Sequence, residues 1–317
     1  MVDFLLALLG LGILVLAGDM LVRGAVNVSL RLGVPALIVS LTIVAVGTSA
    51  PELLVAVSAV LEDAPGIAVG NVVGSNTANV LLVLGLPAML AGLPMRDCET
   101  RTSYYQMLAG TAAFTLLAWL GPISWGQGLL LLAVYVAFML HAARAARRHR
   151  RAEAATREAL IEVEGAELGA PWWRIMAYLM LGVVGLPLGA DILVESATAI
   201  ARTYRVSETV IGLTLVAVGT SLPELATTIA AALRRQTDVA LGNVLGSNMA
   251  NLLGIVGMAS LFGAIPVSRD VLQFDLLVMI GASLLLAPFV LWRVNISRWW
   301  GAAFAALYAG YLVAILS

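Results

Sequence analysis

The strongest constraint on the fold of this chain is an internal repeat. The segment Leu41–Gly85 aligns without a gap on Leu213–Gly257, and 24 of the 45 aligned residues are identical. The offset between the copies is a constant 172 residues, which indicates a duplication. The correspondence continues backward more weakly, since Asp19 falls on Asp191. The fold must therefore contain the same substructure twice.

The composition indicates that these copies lie in a lipid bilayer. The chain has 61% hydrophobic and only 12% charged residues, and its mean hydropathy is +0.98. Soluble domains carry about 25% charged residues, and a membrane-spanning helix needs about 20 mainly apolar residues. Ten segments meet that requirement: Phe4–Val26, Val34–Leu61, Gly66–Leu93, Thr102–Leu120, Trp125–Ala145, Trp173–Ala201, Val206–Leu233, Val239–Ile265, Val271–Trp292 and Ser297–Leu316.

The longest polar segment divides these spans into two sets of five. We predict a first repeat at 1–145, a connector at 146–171 and a second repeat at 172–317. The connector is rich in Arg, which indicates a cytoplasmic location. Alternating the loops from that anchor puts fifteen of the eighteen Arg residues on the cytoplasmic side and both termini outside.

Each element is separated from its copy by five spans, so the copies are predicted to cross the membrane in opposite directions. Such inverted-topology repeats are typical of secondary transporters. The sequence thus predicts an all-α membrane protein with ten transmembrane helices in two inverted repeats of five. Because some channels also have inverted repeats, a passive cation channel remains an alternative.

A hexapeptide in the second and seventh spans carries the most unusual residues. Gly47–Glu52 reads GTSAPE and its copy Gly219–Glu224 reads GTSLPE, and both lie near the middle of spans of 28 residues. A proline inside a helix removes one N–H and clashes with the preceding turn. We therefore predict that helices 2 and 7 are broken there, and that carbonyls around Ala45, Gly47 and Thr48 lose their intrahelical partners.

Oxygen-bearing side chains are repeated in and beside these hexapeptides. An acidic residue inside a membrane is a functional hypothesis by default, although a protonated structural Glu is an alternative. Asn and Ser can also simply join helices. The predicted ion-site side chains are Thr48, Ser49, Glu52, Asn71, Ser75 and Asn79 with their copies Thr220, Ser221, Glu224, Asn243, Ser247 and Asn251.

The chemistry of this set favours calcium. Two bidentate carboxylates and two main-chain carbonyls give six oxygens, within the six to eight that Ca²⁺ takes. The single cysteine is Cys98, and the two histidines, His141 and His149, lie in and beside the Arg-rich connector, which argues against zinc or copper. The spans contain no HExxH motif, so we do not expect an enzyme.

The paired motifs, GTSAPE with GNVVGSNTANVLLVLG and GTSLPE with GNVLGSNMANLLGIVG, resemble the two alpha repeats of the sodium/calcium exchanger family, within the calcium/cation antiporters. The resemblance implies that Glu52 and Glu224 hold Ca²⁺ together with the carbonyls of Thr48 and Thr220. It further implies exchange of three Na⁺ for one Ca²⁺. Sodium sites would use the carbonyls of Ala45 and Ala217 and the hydroxyls of Ser75 and Ser247, with Asn79 and Asn251 beside the central site.

Departures from the family pattern refine this expectation. Potassium-dependent members have Asp where this chain has Asn251, which argues against potassium dependence. Proton/calcium exchangers have Asn where Thr48 and Thr220 stand and therefore resemble this chain less. An H⁺/Ca²⁺ antiporter is kept as the alternative function. The short connector indicates a minimal prokaryotic member in the cytoplasmic membrane. We expect no cofactor, nucleic acid or obligatory protein partner, with Ca²⁺, Na⁺ and the lipid bilayer as the chain's partners. Two roles stay open for Asp19 and Asp191, which lie toward the exit ends of the first and sixth spans: a place at the entry or exit of the ion or, for Asp19, an interfacial ion pair with Arg23.

Overall fold

The computed structural model describes residues 2–96, 98, 100–153, 171–204 and 217–316. Among these residues the chain forms helices and no strands. In chain order the helices are α1 (Val2–Leu32), α2 (Ala36–Thr48), α3 (Ala50–Leu61), α4 (Pro65–Ala91), α5 (Arg101–Leu120), α6 (Trp125–Glu153), α7 (Trp172–Thr203), α8 (Ala217–Gly219), α9 (Leu222–Leu233), α10 (Thr237–Ala259), α11 (Val271–Leu291) and α12 (Arg298–Leu316).

Within the described residues, six helices are long and apolar enough to cross a membrane, or seven if the bent pair α2 and α3 is one span. Helices α5 and α12, of 20 and 19 residues, lie where the fourth and tenth spans are predicted. The predicted span Val206–Leu233 begins in residues outside the described ranges, so the count of ten stays a prediction. Large apolar side chains such as Leu5, Leu8 and Leu16 are exposed, as expected for helices that face lipid.

Helices α1 and α7, which occupy equivalent places in the two repeats, pack closely side by side. A Cβ on Gly10 would come within 2.7 Å of the Leu193 nitrogen, and one on Gly182 within 2.5 Å of the Leu21 Cβ. The two contacts are equivalent under the repeat offset of 172 residues, because Gly10 matches Gly182 and Leu21 matches Leu193. Early residues of one helix meet late residues of the other, so the pair is antiparallel.

The same exchange of contacts holds for two pairs of buried segments that connect helices. Leu93 forms an isolated antiparallel bridge with Ile296, and Ile123 forms one with Ile265. Leu93 matches Ile265 at the offset of 172, and Ile123 matches Ile296 at 173. Contacts that exchange in this way under the repeat offset are expected if a pseudo-two-fold axis relates the two repeats.

The prolines break helices where the sequence predicts. Helices α2 and α3 meet at Ser49 with a bend of 45°, and Thr220 and Ser221 separate α8 from α9. Helices α4 and α10 form the buried centre of the molecule, and each contains a π-helical turn, at Asn79–Val83 and Ala250–Ile255. A further π-helical turn, Ser40–Val44, ends just before Ala45. π-Helical turns are frequent at functional sites.

Two described helices extend six residues or more past the predicted end of their span. Helix α1 continues six residues beyond Val26 to Leu32, and α6 continues past Ala145 to Glu153. The predicted boundaries mark the end of the apolar segment, whereas an α-helix satisfies its own backbone hydrogen bonds and can continue into water. Residues 154–170 of the predicted connector lie outside the described ranges.

Candidate ion-binding site

The two broken helices restart with the predicted acidic residues in their first turns. Glu52 lies in the first turn of α3 and Glu224 in the first turn of α9, each directly after a proline. Both side chains are buried, with exposed fractions of 1% and 0%. The N-terminus of a helix presents unpaired N–H groups and a partial positive charge, which stabilise an anion. The helix break therefore creates a favourable place for a buried carboxylate.

Two reciprocal hydrogen bonds join the halves beside these acids. The Thr48 hydroxyl donates to Oδ1 of Asn243 at 3.3 Å, and the Thr220 hydroxyl donates to Oδ1 of Asn71, also at 3.3 Å. Each bond links a broken helix of one half to the buried helix of the other. The structure thus brings together four predicted site residues that lie far apart in the sequence.

The carboxylates themselves have unequal surroundings. Oε1 of Glu224 accepts a hydrogen bond from Ser49 at 3.2 Å and another from Ser247 at 3.4 Å. The equivalent hydroxyls of the other half, Ser221 and Ser75, are buried without a hydrogen-bond partner in the described structure.

Buried polar atoms without partners concentrate around these acids. In the described part of the chain, thirteen buried side-chain nitrogen or oxygen atoms lack a hydrogen-bond partner, and nine of them belong to this cluster. They are Oε2 of Glu52 and of Glu224, Oγ of Ser75 and of Ser221, Nδ2 of Asn71, Oδ1 of Asn76 and of Asn79, and both Oδ1 and Nδ2 of Asn251. Because buried polar groups almost always have a hydrogen-bond partner, this concentration of unpartnered atoms is unusual.

The oxygen atoms of this cluster are of the kinds that hard cations prefer as ligands. Carboxylate, hydroxyl and amide oxygens suit Ca²⁺ and Na⁺, whereas thiolates and imidazoles are absent from the cluster. Among the described residues no group of three or more His, Cys, Asp or Glu side chains comes together, and neither Glu52 nor Glu224 forms an ion pair. Within the described part of the chain, no basic side chain therefore balances a charge on either acid.

The prediction that the Ala45 carbonyl loses its helical partner is wrong. It accepts a hydrogen bond from the Ser49 N–H at 3.0 Å, and it is also, at 3.3 Å, an alternative acceptor to Asn243 for the single Thr48 hydroxyl proton. A proline removes only its own N–H, so the carbonyl deprived by Pro51 is that of Gly47, four residues earlier. In the second half the Ser221 N–H donates instead to Val218 at 3.0 Å, and so does not bond to the Ala217 carbonyl.

Three residues of the site were missed by the sequence analysis. The Asn76 and Asn248 side-chain amides each donate to the other's main-chain carbonyl, at 3.4 and 3.5 Å, and Asn79 donates to Oδ1 of Asn248 at 3.0 Å. Asn76 and Asn248 are identical at the repeat offset, and that signal could have found them. Thr228 accepts from Nδ2 of Asn243 at 3.1 Å. Its equivalent is Ala56, so the repeat gives no indication of its role.

Asp19 lies outside this cluster and forms ion pairs. Its Oδ2 accepts from Arg23 at 3.0 Å, one turn along α1, and its Oδ1 contacts Arg234 at the end of α9. The ion-pair interpretation of Asp19 is therefore confirmed, with Arg234 as a second partner that the spacing does not reveal.

Comparison with known proteins supports the resemblance. The family model described as sodium/calcium exchanger protein matches residues 2–144 and 174–317. The chain is 33% identical to the inner membrane protein YrbG of Escherichia coli over 91% of this chain and 88% of that protein. It is also 33% identical to the sodium/calcium exchanger MaX1 of Methanosarcina acetivorans, over 99% and 98%.

A solved structure of the sodium-calcium exchanger NCX_Mj, soaked with Na⁺ and Ca²⁺, superimposes with a TM-score of 0.83 at 31% identity. The match covers 100% of this chain and 98% of that one. A structure of the same exchanger soaked without Na⁺ and Ca²⁺ gives a TM-score of 0.82.

Proposed function

Since the chain belongs to the sodium/calcium exchanger family of membrane transporters, we propose that it is a secondary active antiporter that exchanges Ca²⁺ for Na⁺. The observation that carries the proposal is the pair of buried carboxylates, Glu52 and Glu224, each with an unpartnered oxygen and no ion pair in the described structure. Two negative charges match one Ca²⁺, whereas three Na⁺ at the same two carboxylates leave the alternative loaded state with one net positive charge.

We assign the calcium ligands to Glu52, Glu224 and the carbonyls of Thr48 and Thr220. The unpartnered hydroxyls of Ser75 and Ser221 support additional cation sites beside the carboxylates. Sodium would bind at the hydroxyls of Ser75 and Ser247 with the carbonyls of Ala45 and Ala217. The rest of the proposed ligand and support set is Ser49, Ser221, Asn71, Asn79, Asn243 and Asn251.

Alternating access would use the symmetry of the two halves. The antiparallel packing of α1 against α7 and the exchange of contacts under the repeat offset support an inverted-topology repeat. In such transporters, one part of the protein moves against another around a fixed site near the bilayer midplane. The proposed architecture is ten spans in two halves of five, with the halves at 1–145 and 172–317.

The proposed location is the cytoplasmic membrane of a prokaryote, with both termini outside and the connector at 146–171 inside. The excess of Arg on the connector's side supports this orientation. The name of the E. coli relative, an inner membrane protein, agrees with it.

Two other functions would use the same oxygens. An H⁺/Ca²⁺ antiporter would move protons on the carboxylates in place of Na⁺, and a passive channel would conduct cations without exchange. The Thr residues at positions 48 and 220, which bond across the halves, favour Na⁺ exchange over the proton exchangers, whose motif has Asn there.

Calcium uptake into proteoliposomes separates the three functions. Vesicles loaded with Na⁺ and diluted into Na⁺-free medium should accumulate Ca²⁺, whereas vesicles with equal Na⁺ on both sides should not. Uptake driven by a proton gradient without Na⁺ would instead identify the H⁺/Ca²⁺ antiporter. Uptake that needs no counter-ion would identify the channel.

A further inference from the structure

A groove separate from the ion site runs along the outer surface between α1, α7 and α9. Its volume is about 430 Å³, and its walls are almost entirely aliphatic, including Leu14, Val15, Leu193, Leu225 and Ile229. The polar exceptions are Asp19 and Arg234, which close one end. Leu11, Val15, Leu16 and Leu233 on its rim are exposed, so the groove opens toward the hydrocarbon of the bilayer.

The length of the groove matches one leaflet of the bilayer. On α9 its lining extends from Leu222, beside Glu224, to Arg234, which is twelve residues or roughly 18 Å of helix. On α1 it extends from Leu11 to Asp19, or roughly 12 Å. Half of the hydrocarbon core is about 15 Å thick. A chain that entered at the arginine end would therefore reach the level of the ion site near the midplane.

The polar end of the groove has an excess of positive charge. Asp19 pairs with both Arg23 and Arg234, so three charged groups leave one positive charge in excess. The exposed Arg235 directly follows Arg234 and adds another. Asp238 in the first turn of α10 removes one, and the sum of these five groups is still +1. The side chains of Arg23 and Arg234 remain 34% and 17% exposed, which leaves guanidinium donors accessible beside Asp19.

We propose that this groove binds an anionic glycerophospholipid of the cytoplasmic leaflet. One acyl chain lies along the aliphatic wall, and the phosphate receives hydrogen bonds from Arg234 and Arg23. Guanidinium groups bind phosphate in a bidentate geometry, and basic pockets between transmembrane helices on the cytoplasmic side recognise anionic head groups. The site lies beyond the proposed exchange function and does not depend on it, because its ligand is a lipid and not a transported ion.

The internal repeat provides a natural control for this assignment. At the offset of 172, Arg23 matches Glu195, while Arg234 and Arg235 match Glu62 and Asp63. The equivalent end of the other half is therefore acidic, although the helices are related by the same pseudo-symmetry. The fold does not require arginines at this end, and a negative rim would repel an anionic lipid. We expect one specific lipid site for each chain, on the cytoplasmic side only.

Native mass spectrometry of the purified full-length protein, titrated with phosphatidylglycerol or phosphatidylcholine, tests the proposal. The wild type should bind one phosphatidylglycerol preferentially. R234Q should weaken that binding about fivefold, the effect of losing one Arg near a phosphate. A230F, which fills the aliphatic wall and leaves all charges in place, should also weaken it. R298Q, a matched loss of a cytoplasmic-side arginine far from the groove, should bind like the wild type.

The variant D19N separates a lipid site from a merely structural ion pair. Asp19 competes with phosphate for the two arginines, so D19N should bind phosphatidylglycerol more tightly than the wild type, opposite to R234Q. If D19N and R234Q weaken binding equally, the arginines act only by holding the helices together and the proposal fails. Equal binding of phosphatidylcholine and phosphatidylglycerol by the wild type would also overturn it. Thermal unfolding of each variant checks that it is folded.

Discussion

Glu224→Gln is the most informative single change, because it removes one charge from the site and retains the shape of the side chain. The amide oxygen of Gln can still accept the hydrogen bonds that Ser49 and Ser247 now donate to Oε1. The unpartnered Oε2 becomes an NH₂ group, which cannot bind a cation. We therefore expect a folded, inserted protein that has lost half of the formal charge at its ion site.

The size of the effect follows from electrostatics. Two unit charges about 4 Å apart interact by about 4 kcal/mol at an effective dielectric constant near 20, and a divalent ion doubles this to about 8 kcal/mol. If half of that attraction is offset by the smaller desolvation cost of Gln, about 4 kcal/mol remains, which is about a thousandfold in calcium affinity. Without calcium the sign reverses, since an uncompensated buried charge is removed and the ion-free protein should be more stable.

Sodium-driven ⁴⁵Ca²⁺ uptake in proteoliposomes and thermal unfolding without ions measure the two effects. Glu62→Gln is the matched control, because it removes the same charge from an exposed residue between α3 and α4. We expect uptake to vanish in Glu224→Gln and in Glu52→Gln and to persist in the control. Calcium uptake at the wild-type level in either site variant would refute the assignment of these carboxylates.

Three further results are expected. Asn251→Asp should make transport sensitive to pH or potassium, because three neighbouring carboxylates cannot easily all remain ionised, and pH and potassium profiles that overlay those of the wild type would place Asn251 away from the ions. Thr228→Val should weaken calcium binding about twofold to tenfold by removing the hydrogen bond that orients Asn243. Ala56→Thr, its control at the equivalent position, should not weaken binding. Three-for-one exchange moves one charge per cycle, so the calcium ratio that stops flux should shift by about 1.7 decades per 100 mV; a ratio independent of voltage would exclude that stoichiometry.

Much of the fold could be predicted because it depends on quantities that the sequence carries directly. Helices α4 and α11 follow from the length and hydropathy of their segments, and the break at Ser49 follows from the missing N–H of Pro51. The antiparallel packing of α1 on α7 could not be predicted in detail. It depends on which of many small residues, such as Gly10 and Gly182, approach another backbone.

The candidate site was predictable for a different reason. Duplication placed the same unusual polar residues at the same offset, and this separates Glu52 and Glu224 from isolated polar residues in a membrane helix. The role of Thr228 could not be predicted from the repeat. It has no polar counterpart in the other half, and a Thr inside a membrane helix often bonds to its own backbone, as this one also does to the Glu224 carbonyl at 2.7 Å.

The unequal hydrogen bonds at the site bear on the alternating access that we propose for this chain. The Thr48 and Thr220 bonds to Asn243 and Asn71 exchange under the pseudo-symmetry, so they fit a conformation in which the halves are equivalent. The Ser49 bond to Glu224 has no equivalent in the other half, because the Ser221 hydroxyl has no hydrogen-bond partner in the described structure. In an inverted repeat, exchanging the conformations of the two halves converts one facing state into the other. The opposite state should then have Ser221 bonded to Glu52 and the Ser49 hydroxyl released, so each serine would stabilise one state. Ser49→Ala and Ser221→Ala should accordingly shift the balance between the two states in opposite directions.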